Sequence, residues 1–280
     1  MVAAKRPRWT RRIALALLLL LVFCVAKAWH DTLADPVVRR AELRLPGLPP
    51  EVGRLKLLVM SDLHVAAPDM PPARLQRIVV QVNALQPDYV LITGDLISDR
   101  TLATRHYTLA QAIAPLAALK SRFGIVAVLG NHDHWRNAEI ARSELAKAGV
   151  IVLTNESARV GALTIGGLDD DFTRHADPGR TVAAMRRLGP PWLVISHSPD
   201  PFPDLPSDLP LMLAGHTHCG QVRLPLIGAL AYMSRHGNRY ACGQIDENGR
   251  TLFVTAGLGT SVLPFRFGVL PDMWLVTVKP

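Results

Sequence analysis

From Arg54 onward, short apolar runs alternate along the chain with longer amphipathic segments. The apolar runs are rich in Val, Ile and Leu, which is typical of buried strands. They read LKLLVM, DYVLIT, GIVAVLG, VIVL, ALTIGGL, WLVIS, LPLMLAG, TLFVTAG and MWLVTV. The amphipathic segments predict helices over PARLQRIVVQVNAL, residues 107–119, NAEIARSELAKAG and residues 180–188. This alternation predicts an α/β domain with a buried, largely parallel sheet over residues 54–280.

The N-terminal region has a different pattern, in which a basic stretch precedes an uninterrupted apolar run. Its cations are Lys5, Arg6, Arg8, Arg11 and Arg12. The run IALALLLLLVFCVA, at residues 13–26, is short for a membrane span and well sized for the core of a signal peptide. Counted from Trp9 to Trp29, however, a helix reaches about 30 Å and has an indole near each interface. Residues 1–29 are therefore predicted to be a signal anchor, or a signal peptide cleaved near AKA at residues 26–28, and we favour the anchor.

Both alternatives predict the same orientation, because a basic flank stays in the cytoplasm and the rest of the chain is exported. The expected location is the cytoplasmic membrane, with a single span and the body of the chain outside the cytoplasm, or secretion if the leader is cleaved. Residues 30–53 are rich in proline and charge and predict a linker. Within that linker, VVRRAELRL alternates as an edge strand does.

Composition limits the classes of protein to consider. The 280 residues are 49% hydrophobic and 19% charged, which excludes disorder as the main state. The formal net charge is +8, but the leader cations supply five of these charges, so the nearly balanced body predicts no nucleic-acid partner. Three cysteines are too few for a disulfide framework. Cys24 lies in the apolar run, whereas Cys219 and Cys242 either pair in an oxidising compartment or remain buried thiols.

Polar side chains follow five of the predicted strands, at the point where each strand ends. They are Asp62 and His64 in SDLH, Asp95 in GD, Asn131, His132, Asp133 and His134 in NHDH, His197 in HSP, and His216 and His218 in HTH. Taken singly, several have structural explanations, such as a turn at Asp62 or a helix cap at Asp95. The carboxyl ends of strands border the ligand crevice in open α/β sheets, so together they predict a shared site. Carboxylates, an amide and imidazoles suit two divalent transition ions such as Mn, Fe or Zn, rather than Ca or Mg.

The order SDLH, GD, GNHD, a lone histidine and GHTH resembles the calcineurin-like metallophosphoesterase superfamily. The five blocks extend from Asp62 to His218 and so cover most of the predicted domain. The segment GHTHCGQ, with GLGTS and PFRFG further on, is similar to the YkuE/YaeI-type branch, which is exported or membrane-associated. The resemblance implies a four-layer αββα sandwich forming a single catalytic domain over residues 54–280.

The resemblance also implies two metal positions that share one ligand. The ligands implied for the first ion are Asp62, His64 and His218. Those implied for the second ion are Asn131, His197 and His216, with Asp95 bridging both ions. His216 and His218 are two residues apart, so in an extended turn they point the same way and can face adjacent ions.

Three further side chains are predicted to act on the substrate or beside it. His132 resembles the family's acid or oxyanion-stabilising histidine, and Asp133 is expected to orient its ring. Arg266, in PFRFG, is expected to meet a substrate phosphate or, alternatively, to pack at an edge of the domain.

These residues predict a metallophosphoesterase, in which two ions share a hydroxide that hydrolyses a phosphodiester or phosphomonoester. A first alternative, suggested by the membrane location, is a pyrophosphatase acting on a nucleotide-linked lipid such as a UDP-diacylglucosamine. An alternative of another class is a binding protein that keeps the fold without catalysis, but intact ligands at all seven positions argue against it. A nuclease would need a basic groove that the nearly balanced body does not indicate.

Overall fold

The structure is a computed structural model that describes residues 8–280. Lys5 and Arg6, two of the cations that predict the membrane orientation, lie outside the described residues. The helices are α1 (Arg8–Leu33), α2 (Pro72–Ala84), α3 (Leu109–Ile113), α4 (Asn131–Lys147) and α5 (Pro178–Leu188). Short 3₁₀ turns occur at Pro50–Val52, Ala114–Ala118, Phe202–Asp204 and His218–Gly220.

The described strands form two large sheets and one small hairpin. The strands are β1 (Val37–Arg44), β2 (Leu55–Met60), β3 (Tyr89–Thr93), β4 (Gly124–Val128), β5 (Ile151–Val152), β6 (Glu156–Val160), β7 (Leu163–Gly167), β8 (Trp192–Ile195), β9 (Leu211–Ala214), β10 (Arg223–Leu224), β11 (Gly228–Ala229), β12 (Gly243–Glu247), β13 (Arg250–Val254) and β14 (Asp272–Lys279). The first sheet has the order β1-β14-β2-β3-β4-β5, and β14 and β2 are its antiparallel neighbours. The second sheet has the order β12-β13-β9-β8-β7-β6, with antiparallel pairs at its two edges. The expected parallel pairing therefore holds for every pair of the first sheet except β14 with β2, and for the middle of the second sheet.

The side chains of β2 show how the layers are stacked, because successive residues of a strand point to opposite faces. Leu57 and Val59 enter the apolar core between the two sheets, whereas Leu58 and Met60 enter the core beneath α2, α3 and α4. On the outer face of the second sheet, α5 buries Met185 in a separate core. Two sheets packed face to face with helices outside each confirm the predicted αββα sandwich.

Two helices differ from their predicted extents for local reasons. The helix predicted over residues 107–119 is the short α3 followed by a 3₁₀ turn that contains Pro115. The helix predicted to begin at Asn137 begins at Asn131 instead, and Asn137 has non-helical dihedral angles within it. The sequence patterns did not predict β12 or the hairpin of β10 and β11, since β12 reads GQIDE and the hairpin strands are two residues long.

The segment that follows the apolar helix is attached to the first sheet. β1 pairs with β14 in parallel along all eight residues, which confirms the predicted edge strand. Leu45 and Leu48 are buried in the core between the sheets. Much of the predicted linker therefore packs against the domain.

Among the described residues, α1 is the one helix that is long and apolar enough to cross a membrane. It continues to Leu33, past the predicted limit at residue 29. Near its end, Asp31 accepts a hydrogen bond from the backbone N–H of Gly268, and Thr32 Oγ1 accepts one from the N–H of Arg266. The guanidinium of Arg74 donates to the carbonyl oxygens of Thr32 and Ala34. These contacts fix the last turn of α1 to the domain.

Candidate metal centre

The seven predicted ligands converge at the carboxyl edge shared by the two sheets. Asp62, Asp95 and Asn131 follow β2, β3 and β4 of the first sheet, and His197 and His216 follow β8 and β9 of the second. His64 and His218 lie two residues beyond the first ligand of their loops. Each of the seven is at most 6% exposed, so their polar atoms face one another rather than water.

Tight turns bring these side chains inward. Positive φ angles occur at Asp62, His64, Asp95, His216 and His218, with values between 42° and 70°. Non-glycine residues seldom adopt this region, and such strained positions cluster at functional sites. Gly215 permits the close approach of the two sheets, because a Cβ there would collide with Ser61 Oγ and Asp62 Oδ2.

The first group of ligands consists of Asp62, His64 and His218. The Nε2 atoms of the two imidazoles are 3.0 Å apart. Asp62 Oδ1 lies 3.4 Å from His218 Nε2 and 3.9 Å from His64 Nε2. The three ligand atoms lie within 4.8 Å of one another, a spacing at which one cation can contact all of them.

The second group surrounds the Nε2 atom of His197. The Nδ1 atom of this ring lies 2.8 Å from the carbonyl oxygen of Thr93, so in a neutral ring Nδ1 carries the proton and Nε2 a lone pair. Nε2 is 3.2 Å from Asn131 Oδ1 and 3.1 Å from His216 Nδ1. Several lone pairs thus meet at one point, an arrangement that a divalent cation satisfies.

Asp95 lies between the two groups. Its Oδ2 atom is 3.4 Å from His64 Nε2 and 3.2 Å from His197 Nε2. Its Oδ1 atom accepts a hydrogen bond from the backbone N–H of His132. One oxygen can therefore face both metal positions while the other is held by the backbone.

Burial and mutual charge shift the pKa values of these groups. Burial raises the pKa of Asp62 to about 6 and lowers that of His216 to about 3, where the charge of His197 adds to the effect. Burial also lowers the pKa values of His64 and His218 well below the usual range.

Asp95 and His197 shift each other's pKa in opposite directions. Burial disfavours the charged form of both, but their attraction and hydrogen bond outweigh it, so the pKa of Asp95 falls and that of His197 rises. A metal ion bound beside Asp95 would compensate the charge of its carboxylate in the same way.

His132 lies beside the ligands, but its orienting partner is Asp99. The Nδ1 atom of His132 is 2.5 Å from Asp99 Oδ1. The prediction that Asp133 orients this ring is wrong, because the Asp133 carboxylate accepts hydrogen bonds from the backbone N–H groups of Asp95, Leu96 and Gly130. Burial and the charge of Asp95 raise the pKa of Asp133 to about 7.

Arg266 does not reach the place where a substrate would bind. Its side chain has no exposed surface, and its guanidinium donates to the carbonyl oxygens of Ala256, Gly257 and Gly259. The prediction that it meets a substrate phosphate is therefore wrong. Arg266 is instead packed within the domain, as the alternative prediction had it. Burial lowers its pKa to about 10.

Cys219 and Cys242 form a disulfide, which decides between the two states left open by the sequence. Cys219 directly follows His218, and Cys242 precedes β12. The bond ties the loop that carries His216 and His218 to the segment that leads into β12. Cys24 has a free thiol.

A cavity of about 360 Å³ opens above the ligands. Asp95, Asn131, His132, His216 and His218 lie at its floor. Its walls are mainly apolar and include Trp135, Phe172, Leu230, Met233, Val262 and Leu263. The cavity thus combines a polar, metal-binding base with walls suited to an apolar group.

The sequence profile of the family described as calcineurin-like phosphoesterase matches residues 55–220, which include all seven ligands. A zebrafish (Danio rerio) protein named transmembrane protein with metallophosphoesterase domain is 29% identical over 287 residues, covering 96% of this chain and 63% of that protein. The uncharacterized metallophosphoesterase YkuE of Bacillus subtilis is 29% identical over 235 residues, covering 80% of this chain and 79% of YkuE.

The chain spans less than two thirds of the length of the zebrafish protein and of a similar Helicobacter pylori metallophosphoesterase. Among solved structures, a 5'-nucleotidase precursor from Thermus thermophilus aligns with a TM-score of 0.46 at 16% identity, covering 72% of this chain and 48% of that one.

Proposed function

We propose that this chain, which belongs to the calcineurin-like phosphoesterase family, hydrolyses phosphate esters with two divalent transition-metal ions such as Mn, Fe or Zn. The position of Asp95 carries the proposal, since its Oδ2 atom lies within 3.4 Å of an imidazole nitrogen from each ligand group. Asp62, His64 and His218 would hold one ion, and Asn131, His197 and His216 the other. Ions bound there would supply an activated water and offset the charge that develops on the phosphoryl oxygens.

The protein's own groups provide the proton chemistry. Asp99 holds Nδ1 of His132, so the N–H that the ring can donate to a leaving oxygen is the one at Nε2. Asp133 ties the start of α4 to the loop after β3 through three backbone N–H groups. It thereby positions Asp95 and His132 relative to each other without contacting the substrate.

A membrane location with the catalytic domain outside the cytoplasm fits the N-terminal region. The helix α1 has the length and hydropathy of a span, and basic residues precede its apolar run. The disulfide between Cys219 and Cys242 supports the same side of the membrane, because such bonds persist in oxidising compartments.

The apolar walls of the cavity favour a second candidate, hydrolysis of a phosphate or pyrophosphate bond carried on a lipid. Phe172, Leu230 and Val262 line the cavity beside the metal ligands, where a small polar ester would leave them exposed to water. A non-catalytic binding role is the weaker alternative, since it gives no reason for seven buried ligand side chains.

The proposal is tested with the purified full chain in detergent. Chelation should abolish turnover of monoesters, diesters and pyrophosphates alike, and Mn, Fe or Zn should restore it. Elemental analysis of the active protein should count two ions per chain. Turnover by protein shown to be free of metal, or full activity with a single ion, would contradict the two-ion scheme.

A further inference from the structure

Large aliphatic side chains project into solvent from two loops beside the cavity. We call Leu226, Ile227, Leu230, Val262 and Leu263 the apolar platform. Leu226 is fully exposed, Ile227 and Val262 are each 71% exposed, and Leu230 is 61% exposed. Single exposed apolar residues are ordinary, but a group on adjoining loops marks an interaction surface.

The two loops form one unit. Gln221 precedes the hairpin of β10 and β11, and its side-chain amide is within hydrogen-bonding distance of the carbonyl oxygens of Ser261, Leu263 and Phe265. Its Oε1 atom accepts the backbone N–H of Ser261. The hairpin and the loop over residues 261–265 therefore present their aliphatic side chains together.

The tips of both loops have backbone conformations that favour glycine or asparagine. Leu226 has a φ of 66° and Val262 a φ of 44°. A positive φ at a β-branched residue is a genuine outlier, and short hairpins usually carry polar residues at the tip. Burial in the folded chain cannot explain why apolar residues occupy these two positions, since both side chains are largely exposed.

The platform adjoins the apolar helix. A groove of about 450 Å³ is lined on one side by Val25 and Trp29 of α1 and on the other by Leu224, Phe265 and Phe267. These helix residues lie at the end of the apolar run, where a spanning helix leaves the hydrocarbon and an indole marks the interface. The hairpin and the loop that carry the platform thus also face α1, through Leu224 and Phe265.

We propose that the apolar platform inserts into the outer leaflet of the bilayer that α1 spans, a contact additional to the helix itself. This inference rests on the proposed membrane attachment. A bilayer fits better than a second copy of the chain, because a spanning α1 already places lipid against the same face. Leu230, Val262 and Leu263 also line the cavity, so insertion would hold its opening at the level of the lipid headgroups.

The test uses the full chain in phosphatidylcholine and phosphatidylglycerol vesicles and reads depth rather than activity. In a Cys24→Ser background, Cys219 and Cys242 are paired, so a cysteine introduced at Leu226 or Val262 can be labelled alone with an environment-sensitive fluorophore. Leu188→Cys, at the end of α5, serves as a matched control. Leu188 is 41% exposed and precedes the start of β8, whereas the candidate ligand His197 lies beyond the other end of that strand. Labels at 226 and 262 should be quenched by acyl-chain spin labels and shielded from iodide, and the label at 188 should behave in the opposite way.

Iodide access at 226 and 262 equal to that at 188 would overturn the proposal. The proposal would also be overturned if shielding from iodide increased with protein concentration while acyl-chain spin labels caused no quenching. A second copy of the chain would then cover the platform. Neither outcome depends on hydrolysis, so the result stands apart from the test of the proposed activity.

A second measurement links insertion to access by the substrate. Leu226→Asp should lower turnover of a phosphodiester anchored in the same vesicles by about tenfold, because a charge in place of a buried aliphatic group opposes insertion. Turnover of a water-soluble ester should not change, because Leu226 does not line the cavity. Leu188→Asp should change neither rate. Equal losses on both esters would contradict a role in docking.

Discussion

The floor and the mouth of the cavity differ in chemistry, in burial and in the way the chain supports them. The floor comprises His132 and the seven candidate ligands, four of which line the cavity directly; these side chains are polar, almost fully buried and lie just beyond the ends of strands. The mouth comprises Trp135, Phe172 and the platform residues that line the cavity, which are Leu230, Val262 and Leu263; their side chains are large, apolar and exposed. The two sheets determine the distances between side chains at the floor. At the mouth, these distances depend on contacts between loops, such as the hydrogen bonds of the Gln221 side chain with Ser261 and Leu263. We therefore expect bond cleavage to depend on the floor and the choice of substrate to depend on the mouth.

The largest effect is expected from Asp95→Asn, a change at the centre of the floor. A neutral amide cannot bridge two cations as a carboxylate does, so both metal positions should weaken together. Hydrolysis of soluble and lipid-borne esters should fall equally, to the level of chelated protein, with fewer than two ions per chain by elemental analysis. Asp208→Asn, at an exposed carboxylate paired with Arg186, is the control and should keep both metals. Normal turnover in Asp95→Asn would remove the basis for a shared ligand.

A smaller effect is expected from His132→Gln, which separates chemistry from metal binding within the floor. Loss of a positioned acid typically costs roughly 10²–10⁴-fold in rate, and kcat should fall by this amount without a change in metal content. Esters with good leaving groups should be less affected, because they need less proton transfer. Asn131→Ala should instead lower metal content and slow every ester alike.

The His132 variant also tests the opposite assignment. A nitrogen of His132 lies within 4.8 Å of ligand atoms of His64 and Asp95, so metal loss in His132→Gln would make this residue a ligand instead.

Asp99→Asn should reproduce the same leaving-group dependence at about a tenfold lower kcat, since Asp99 orients the ring and does not touch the substrate.

The smallest effect is expected from Leu230→Ala at the mouth. Removing part of an aliphatic side chain from a cavity wall costs about 1 kcal/mol, so the KM for an ester with a long alkyl chain should rise roughly fivefold. The KM for a methyl ester and both kcat values should stay the same. Leu188→Ala is the matched control. A fall in kcat for both esters would show that the mouth also shapes the chemistry and would weaken the comparison.

Sequence patterns predicted the floor because strand periodicity and chain direction determine where a strand ends. Asp62, Asp95, Asn131, His197 and His216 each follow an apolar run, so their convergence required no knowledge of side-chain conformation. Asp99 was missed because no periodicity locates a loop residue four positions beyond Asp95. The signal that could have found it was the presence of a second carboxylate, after Asp95, in the loop that follows β3.

The errors concern the direction in which single side chains point. Asp133 is the third residue of α4 and turns back to the N–H of Gly130, which is how an acid at that position caps a helix. Its neighbours in the sequence suggested an imidazole partner instead. Arg266 is directed inward because several carbonyl oxygens accept from it, a contact set that forms only when the chain is folded. The mouth was not predicted either, because exposed aliphatic residues on a loop resemble core residues in a sequence.

The short connection between α1 and β1 has a consequence for how the protein would search for its substrate. Only Ala34 to Pro36 separate the two elements, and Asp31, Thr32 and Arg74 bind the junction to the domain. With α1 in a bilayer, the domain would move by lateral diffusion and could not swivel as it would on a flexible tether. Collisions in the plane of the membrane would then meet the cavity in a constant orientation. Confinement to two dimensions raises the effective concentration of a lipid-borne substrate without a single added contact.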